Sequence, residues 1–286
     1  MFFVATVPTL SGTVPALSGS PGPCAGLLPR DVRARIVGGG GRAGCGRRAV
    51  ETVDGGSGPV AVTGSATVAV AVLHLGSGVS AGYGDALFDT ASIVKVDILA
   101  ALLLRAQDTG RRLTARERTY AAAMIESSDN DSASALWRDI GGADGLNAAN
   151  ERFGLTRTTG GDGPRWGLTR TTAADQLVLL EQVFGARSEL SGDSRAYLQG
   201  LMGRIVPGQD WGVSAAADDS GWALKNGWMP RDATGLWVVN SIGRVTAGGD
   251  EHLVAALSSG NPTKEQGIAL VEEAARSAVS AFGRRA

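Results

Sequence analysis

Thr90-Ala91-Ser92-Ile93-Val94-Lys95-Val96-Asp97-Ile98-Leu99-Ala100-Ala101-Leu102-Leu103-Leu104 is the stretch from which the rest of the chain is read. Ile93, Val94, Val96, Ile98, Leu99, Leu102 and Leu103 fall at nearly every angle around a helix, and a helix that is apolar all round is a buried one. It ends near Asp108-Thr109-Gly110. Lys95 is the only Lys or Arg between Val68 and Leu104. Residues three apart on a helix share a face, so the Lys95 amine can come within reach of the Ser92 hydroxyl. Burial disfavours the ammonium and lowers its pKa towards that of a usable base. The free backbone N–H groups of a first helical turn favour a developing oxyanion. The plainer reading is a surface Ser and Lys at helical spacing, against which the apolar setting counts.

Outward from this helix the pattern changes on both sides. Before it, Thr67-Val68-Ala69-Val70-Ala71-Val72-Leu73-His74-Leu75 is β-branched and apolar, and Gly76-Ser77-Gly78 turns it into a second short strand. After it, Thr114-Ala115-Arg116-Glu117 is a capping box that opens a helix running to about Ser127. Further helices are predicted near 131–139, 144–152, 172–184 and 191–203. Strand signals return at Ala223–Lys225, Leu236–Ile242 and His252–Ser258, and Asn261-Pro262 starts a closing helix to about Phe282. Strands at both ends with helices between them predict an α+β protein. Its sheet is mainly antiparallel and flanked by helices, with an all-helical lobe inserted.

Two further short motifs stand downstream of Ser92. Ser128-Asp129-Asn130 lies between two helices, where Asp and Asn are also ordinary caps and turn formers. Lys225-Asn226-Gly227 ends a strand-like segment and reads equally as a turn. In order, the three motifs supply a nucleophile with its base, a hydroxyl with an amide, and a cation beside a backbone donor. That set suffices for acyl transfer through a serine ester. With only two histidines in the chain, most other serine-hydrolase arrangements are excluded or strained.

Composition narrows the partners. Among 286 residues, 27 basic side chains oppose 28 acidic ones for a formal net charge of −1, with no basic run to attract nucleic acid or an anionic membrane. No stretch approaches the roughly 18 consecutive apolar residues that span a bilayer. No Cys/His cluster has metal-ligand spacing and no cofactor motif stands out; Cys24 and Cys45 can pair only if the chain is exported. Residues 1–62 are rich in Gly, Pro and Ser, with one short helical piece from Leu28 to Val37. They are expected to be a disordered leader, or the product of a start codon set too early, with the folded domain at 63–286. The leader makes a poor signal peptide, having no Lys or Arg before Arg30. Gly78-Val79-Ser80-Ala81-Gly82 matches a nucleophile elbow with His252 downstream, but an elbow runs from strand into helix and this one sits in a Gly-rich turn. Gly39-Gly40-Gly41-Arg42-Ala43-Gly44 matches a nucleotide loop without a strand before it, and reads as low complexity. Trp137, Trp222 and Trp237 are expected in the core, and Trp166 and Trp228 near the cleft.

Over about residues 66–283 the chain resembles the class A β-lactamases and penicillin-binding serine transferases, which carry Ser-x-x-Lys, Ser-Asp-Asn and Lys-Thr/Ser-Gly in this order. The resemblance implies Ser92 as nucleophile and Lys95 as its base. Ser128 would pass a proton to the leaving nitrogen and Asn130 would hold a substrate amide. Lys225 would orient Ser128 and bind a substrate carboxylate, and the oxyanion would rest on the N–H groups of Ser92 and Trp228, the residue after Gly227. It further implies an exported monomer acting on a β-lactam or a peptidoglycan-type peptide, as part of an antibiotic response. Three departures accompany it. Asn226 stands where the family has Thr or Ser, with different reach to a carboxylate. Only 36 positions separate Ser92 from Ser128, so the site is expected to be more open. The family's deacylating Glu has no counterpart: between Glu151 and Glu181 there is none. Asp162 is either a shorter-armed substitute base or a turn residue between glycines. Acylation is thus better supplied with residues than turnover is.

Overall fold

In the computed structural model the described residues are 66–219 and 221–283. The readings placed on the leader (its disorder, the helical piece, the Cys24–Cys45 pair, the glycine run) lie outside them. The described chain forms a five-stranded antiparallel sheet in the order β2-β1-β7-β6-β5. β1 (Thr67–His74) and β2 (Val79–Tyr83) come from the front of the domain; β5 (Trp222–Pro230), β6 (Trp237–Ala247) and β7 (Asp250–Asn261) come from its end. β1 pairs with β7 from Thr67 opposite Ser259 to His74 opposite His252, so the domain's two ends close on each other in mid-sheet. β1 is buried from Val68 to Leu73, which explains its unbroken apolar run in place of alternation.

The helices lie between the two halves of the sheet in sequence. α1 (Val94–Asp108) packs against α2 (Ala115–Glu126), α3 (Asn130–Ile140), α4 (Gly142–Phe153) and α6 (Gly192–Met202), and forms the axis of the lobe. α5 (Ala173–Phe184) and α7 (Lys264–Gly283) pack on the sheet. α7 buries Val271, Ala274, Ala275, Ala278 and Val279, the one-sided stripe of an amphipathic helix. The Thr114 capping box is present in full, and Thr172 caps α5 by accepting from the Asp175 N–H.

Two features were not foreseen. A two-stranded ribbon pairs β3 (Phe88–Asp89) with β4 (Arg170–Thr171), and so ties the segment before Ser92 to the loop before α5. The three C-terminal strands also run several residues beyond their apolar cores. The Gly78–Gly82 stretch becomes β2 after its turn, with Ser80 opposite Leu73 and no helix following, which removes the elbow. Trp137 is buried, while Trp222 and Trp237 are partly buried against the core.

Candidate active site

Ser92 lies half-buried in a single 3-10 turn, Ala91–Ile93, that leads directly into α1. Asn240, a fully buried side chain on β6, holds the approach to this turn by donating to the carbonyls of Asp89 (2.9 Å) and Thr90 (3.0 Å). No local pattern points to this anchor, because its partners lie about 150 positions away. From the other side β5 presses on the turn. A Cβ on Gly227 would stand 2.7 Å from the Ser92 backbone nitrogen and 2.8 Å from that of Ile93. Only glycine permits so close an approach without a shift of backbone. Ala91 (φ 47°) and Ser128 (φ 59°) are two of only three described non-glycine residues in the left-handed region, and both border the reacting groups. Each such residue costs about 1–3 kcal/mol and persists only where its surroundings enforce it.

Lys95, in the first turn of α1, is fully buried. Its Nζ donates to the Ser128 carbonyl (2.6 Å), the Ser128 hydroxyl (3.1 Å) and Asn130 Oδ1 (2.8 Å). These three bonds use all the hydrogens of an ammonium, and none reaches Ser92. Lys225, also fully buried, donates from β5 to the same Ser128 hydroxyl at 3.1 Å and to its neighbour's carbonyl, Asn226 O, at 2.8 Å. Burial lowers the Lys95 amine to about 7, opposed by the Asp129 carboxylate. Burial lowers Lys225 well below its ordinary value, and the neighbouring Lys95 charge adds to the effect. Asp129 does not enter the cluster by contact. It caps α3, accepting from the Ser132 N–H at 2.7 Å, and so fixes Ser128 and Asn130 on either side of it.

Of the expected site residues, the structure thus brings together Lys95, Ser128, Asn130 and Lys225, with Ser92 and Gly227 against each other alongside. Asn226 is placed differently. Its amide is 1% exposed and donates to the carbonyls of Gln209 (2.8 Å) and Trp211 (2.8 Å), so both N–H groups are occupied within the protein. Gln209 in turn donates to Ser127 O at 3.2 Å, which makes Asn226 a brace for the 206–212 segment beside Ser128. Trp228 is half-buried, edge-on to Trp211 at 5.7 Å, with Lys264 Nζ 4.3 Å above its ring. Asp162 is not brought to the cluster: its side chain is 92% exposed and pairs with Arg165 at 3.5 Å. Two glycines and the following turn set it at the surface. From the same loop it is Trp166 that reaches Lys95, its ring centred 4.9 Å from Nζ.

The sheet-and-lobe fold agrees with what the comparisons find. The profile of the β-lactamase enzyme family matches residues 103–282. The chain belongs to the β-lactamase enzyme family. The family match starts C-terminal to Ser92 and Lys95 and does not include them. Among solved structures, PBP-A is similar at 25% identity with a TM-score of 0.65, over 77% of this chain and 91% of that one. A leucine-to-glutamate mutant of PBP-A, an acyl-enzyme complex with penicillin G, is similar at 24% identity and TM-score 0.64, over 78% of this chain and 92% of that one. A β-lactamase from Xanthomonas campestris is similar at 21% identity and TM-score 0.63, over 77% and 93%. No curated protein sequence matches the chain. Family and neighbours together make it a β-lactamase-like hydrolase with the α+β β-lactamase fold. Among the described residues no helix is long and apolar enough to cross a membrane, and no group of three or more His, Cys, Asp or Glu is placed to hold a metal ion.

Proposed function

We propose that the chain cleaves amide or β-lactam bonds through an ester on Ser92. The observation that carries this reading is the Ser128 hydroxyl, held at 3.1 Å by each of two buried amines, Lys95 and Lys225. Accepting from both occupies the oxygen's lone pairs and leaves its own hydrogen free to point into the cleft. In the reaction, neutral Lys95 takes the proton of Ser92, whose oxygen bonds to the substrate carbonyl carbon. The oxyanion rests on the N–H groups of Ser92 and Trp228. As the C–N bond breaks, the Ser128 proton passes to the leaving nitrogen and Ser128 recovers a proton from Lys95. Asn130 accepts a hydrogen bond from Lys95 Nζ at Oδ1 and turns its amide N–H to a substrate carbonyl. Lys225 keeps Ser128 in place and attracts a substrate carboxylate. With Asn226 committed to Gln209 and Trp211, carboxylate recognition falls to Lys225 alone.

The exposure of Asp162, the one acid of the 158–169 loop, and the use of Asp129 as a helix cap support a second reading, in which the ester forms and is released slowly. The protein then acts as a penicillin-binding D-alanyl-D-alanine-type peptidase or as a binder of cell-wall peptides. Intact-mass spectrometry with a penicillin and a chromogenic cephalosporin tests both. A covalent adduct that Ser92→Ala abolishes, with acylation slowed at least about 10,000-fold, is expected. Equal labelling of Ser92→Ala would remove Ser92 from the mechanism. Decay of the adduct with product release marks a hydrolase, and persistence marks the slow form.

A further inference from the structure

The 158–169 loop carries more order than a solvent-facing turn requires. Thr159 and Arg170 pair across its base. Trp137 Nε1 donates to Gly163 O at 2.8 Å, and Gly161 N–H donates to Thr169 Oγ1 at 3.1 Å. Thr90, two residues before Ser92, donates its N–H to Thr169 O at 2.9 Å. Trp166 stands in a short 3-10 turn within this frame. Its indole N–H donates to Ser134 Oγ on α3 at 3.1 Å, which fixes the ring's rotation. The ring then lies over Lys95 Nζ at 4.9 Å. A cation over an indole face is an attractive contact, stronger where water is excluded.

We propose that Trp166 is a positioning residue that seals the Lys95 side of the site against water, so that an ester formed on Ser92 is kept. The inference rests on the acyl-transfer reading above and says what governs the second half of that reaction. To cleave the ester, a water oxygen must bond to its carbonyl carbon while the bond to Ser92 Oγ breaks. The water's proton has to reach that oxygen through a base beside it. Lys95 is turned to Ser128 and Asn130, and could serve a water as that base only from the side the indole covers. An indole face beside the amine offers a water neither a lone pair nor a proton, and the one polar atom of the ring is turned away to Ser134. The nearest loop carboxylate, Asp162, is in solvent with Arg165. Acylation needs none of this, because its proton path runs from Ser92 through Lys95 and Ser128.

The test follows the appearance and decay of the penicillin G adduct on the full chain by intact mass, with Trp166→Ala and Trp166→Phe alongside the wild type. The wild-type adduct is expected to outlast the removal of free penicillin by hours. Trp166→Ala admits water beside Lys95 and is expected to shorten the lifetime of the adduct already formed by roughly tenfold or more, read after free penicillin is removed. Trp166→Phe loses the bond to Ser134 but keeps an apolar cover, and is expected to retain most of the lifetime. Should Trp166→Ala fail to give a cooperative melt, Trp166→Gln carries the same expectation. A lifetime unchanged in both opening variants, equal acceleration by Phe and Ala, or a wild-type adduct gone within seconds each overturns the inference while leaving acylation intact. A wild-type chain that forms no adduct overturns this inference together with the reading beneath it.

Discussion

Around Ser128 two buried amines, a strained backbone and a close-packed strand fix every reacting group, whereas the 158–169 loop leaves its single acid in solvent and offers an aromatic face instead. The two regions meet at Lys95. One side of its amine faces three oxygens and the other side an indole. On the proposed acyl-transfer reading, the difference means that the parts that would form an ester and those that would hydrolyse it are separable in one cleft. Lys95 and Lys225 of the first set are fully buried, whereas the one acid of the second lies in solvent.

The largest effect is expected where the ester-forming side is wedged open. Gly227→Ala puts a Cβ 2.7 Å from the Ser92 nitrogen, so β5 must move off the turn that carries the nucleophile. Misplacing oxyanion donors in this way typically costs about 100- to 1,000-fold in rate. The acylation rate of Gly227→Ala is expected to fall by that order, together with a lower melting temperature, since overpacking against backbone typically costs about 1–3 kcal/mol. Unaltered acylation would mean that the β5 contact does not set the site.

Burial on this side also has a cost that can be read in stability. Asp97, two residues after Lys95 and on nearly the opposite face of α1, is fully buried, and neither carboxylate oxygen has a well-formed hydrogen bond. Burial pushes its carboxyl up to about 8, against the Asn150 amide beside it and with a smaller push from Asp175. The folded chain therefore holds a proton that the unfolded chain releases near pH 4, and stability falls as pH rises between the two values. Asp97→Asn removes the ionisation. In urea unfolding it is expected to be the more stable protein at pH 8 by a few kcal/mol, with the gap closing towards pH 4. A gap independent of pH would place the effect elsewhere.

Next in size is the pH response of ester formation. Lys95 is the base only when neutral, and burial sets its amine at about 7. The acylation rate at limiting substrate should fall roughly tenfold per unit below that value and level off above it. The decay of the adduct, on the Trp166 side, should lack this step. Parallel profiles for both would show one base serving both halves of the reaction.

Much of the cluster around Lys95 and Ser128 was legible in the sequence because its signals are local. An apolar helix with one lysine, a cap before Asn130 and a glycine after Lys225-Asn226 each declare themselves within a few residues. The sheet followed from β-branched runs at the two ends of the domain. What escaped depends on contacts between distant positions. Asn240 looks like any strand asparagine until its bonds to Asp89 and Thr90 are seen. Asn226 was read as a substrate contact from its motif, but strand geometry turns its amide to Gln209 and Trp211. Trp166 has no local signal for lying on Lys95, since its orientation is set by Ser134 and by a loop closed at Thr159 and Arg170.

The smallest expected effect is the most discriminating. Asp162 is the one carboxylate in sequence before Asp175 that the loop could offer as a base, and Asp175 is spent on the Arg157 N–H and the Thr158 hydroxyl. If Asp162 activated water, Asp162→Asn would slow adduct decay by about 100-fold or more. Its side chain is 92% exposed and bonded only to Arg165 at 3.5 Å, a surface pair worth about 0–1 kcal/mol. Asp162→Asn should therefore leave formation and decay of the adduct within about twofold of wild type, since a screened surface charge contributes little at the reacting atoms. A large slowing would require the loop to swing Asp162 inward on substrate binding and carry Trp166 away from Lys95. The indole contact and the acid are thus alternatives, and this one substitution decides which of them the acylated protein uses.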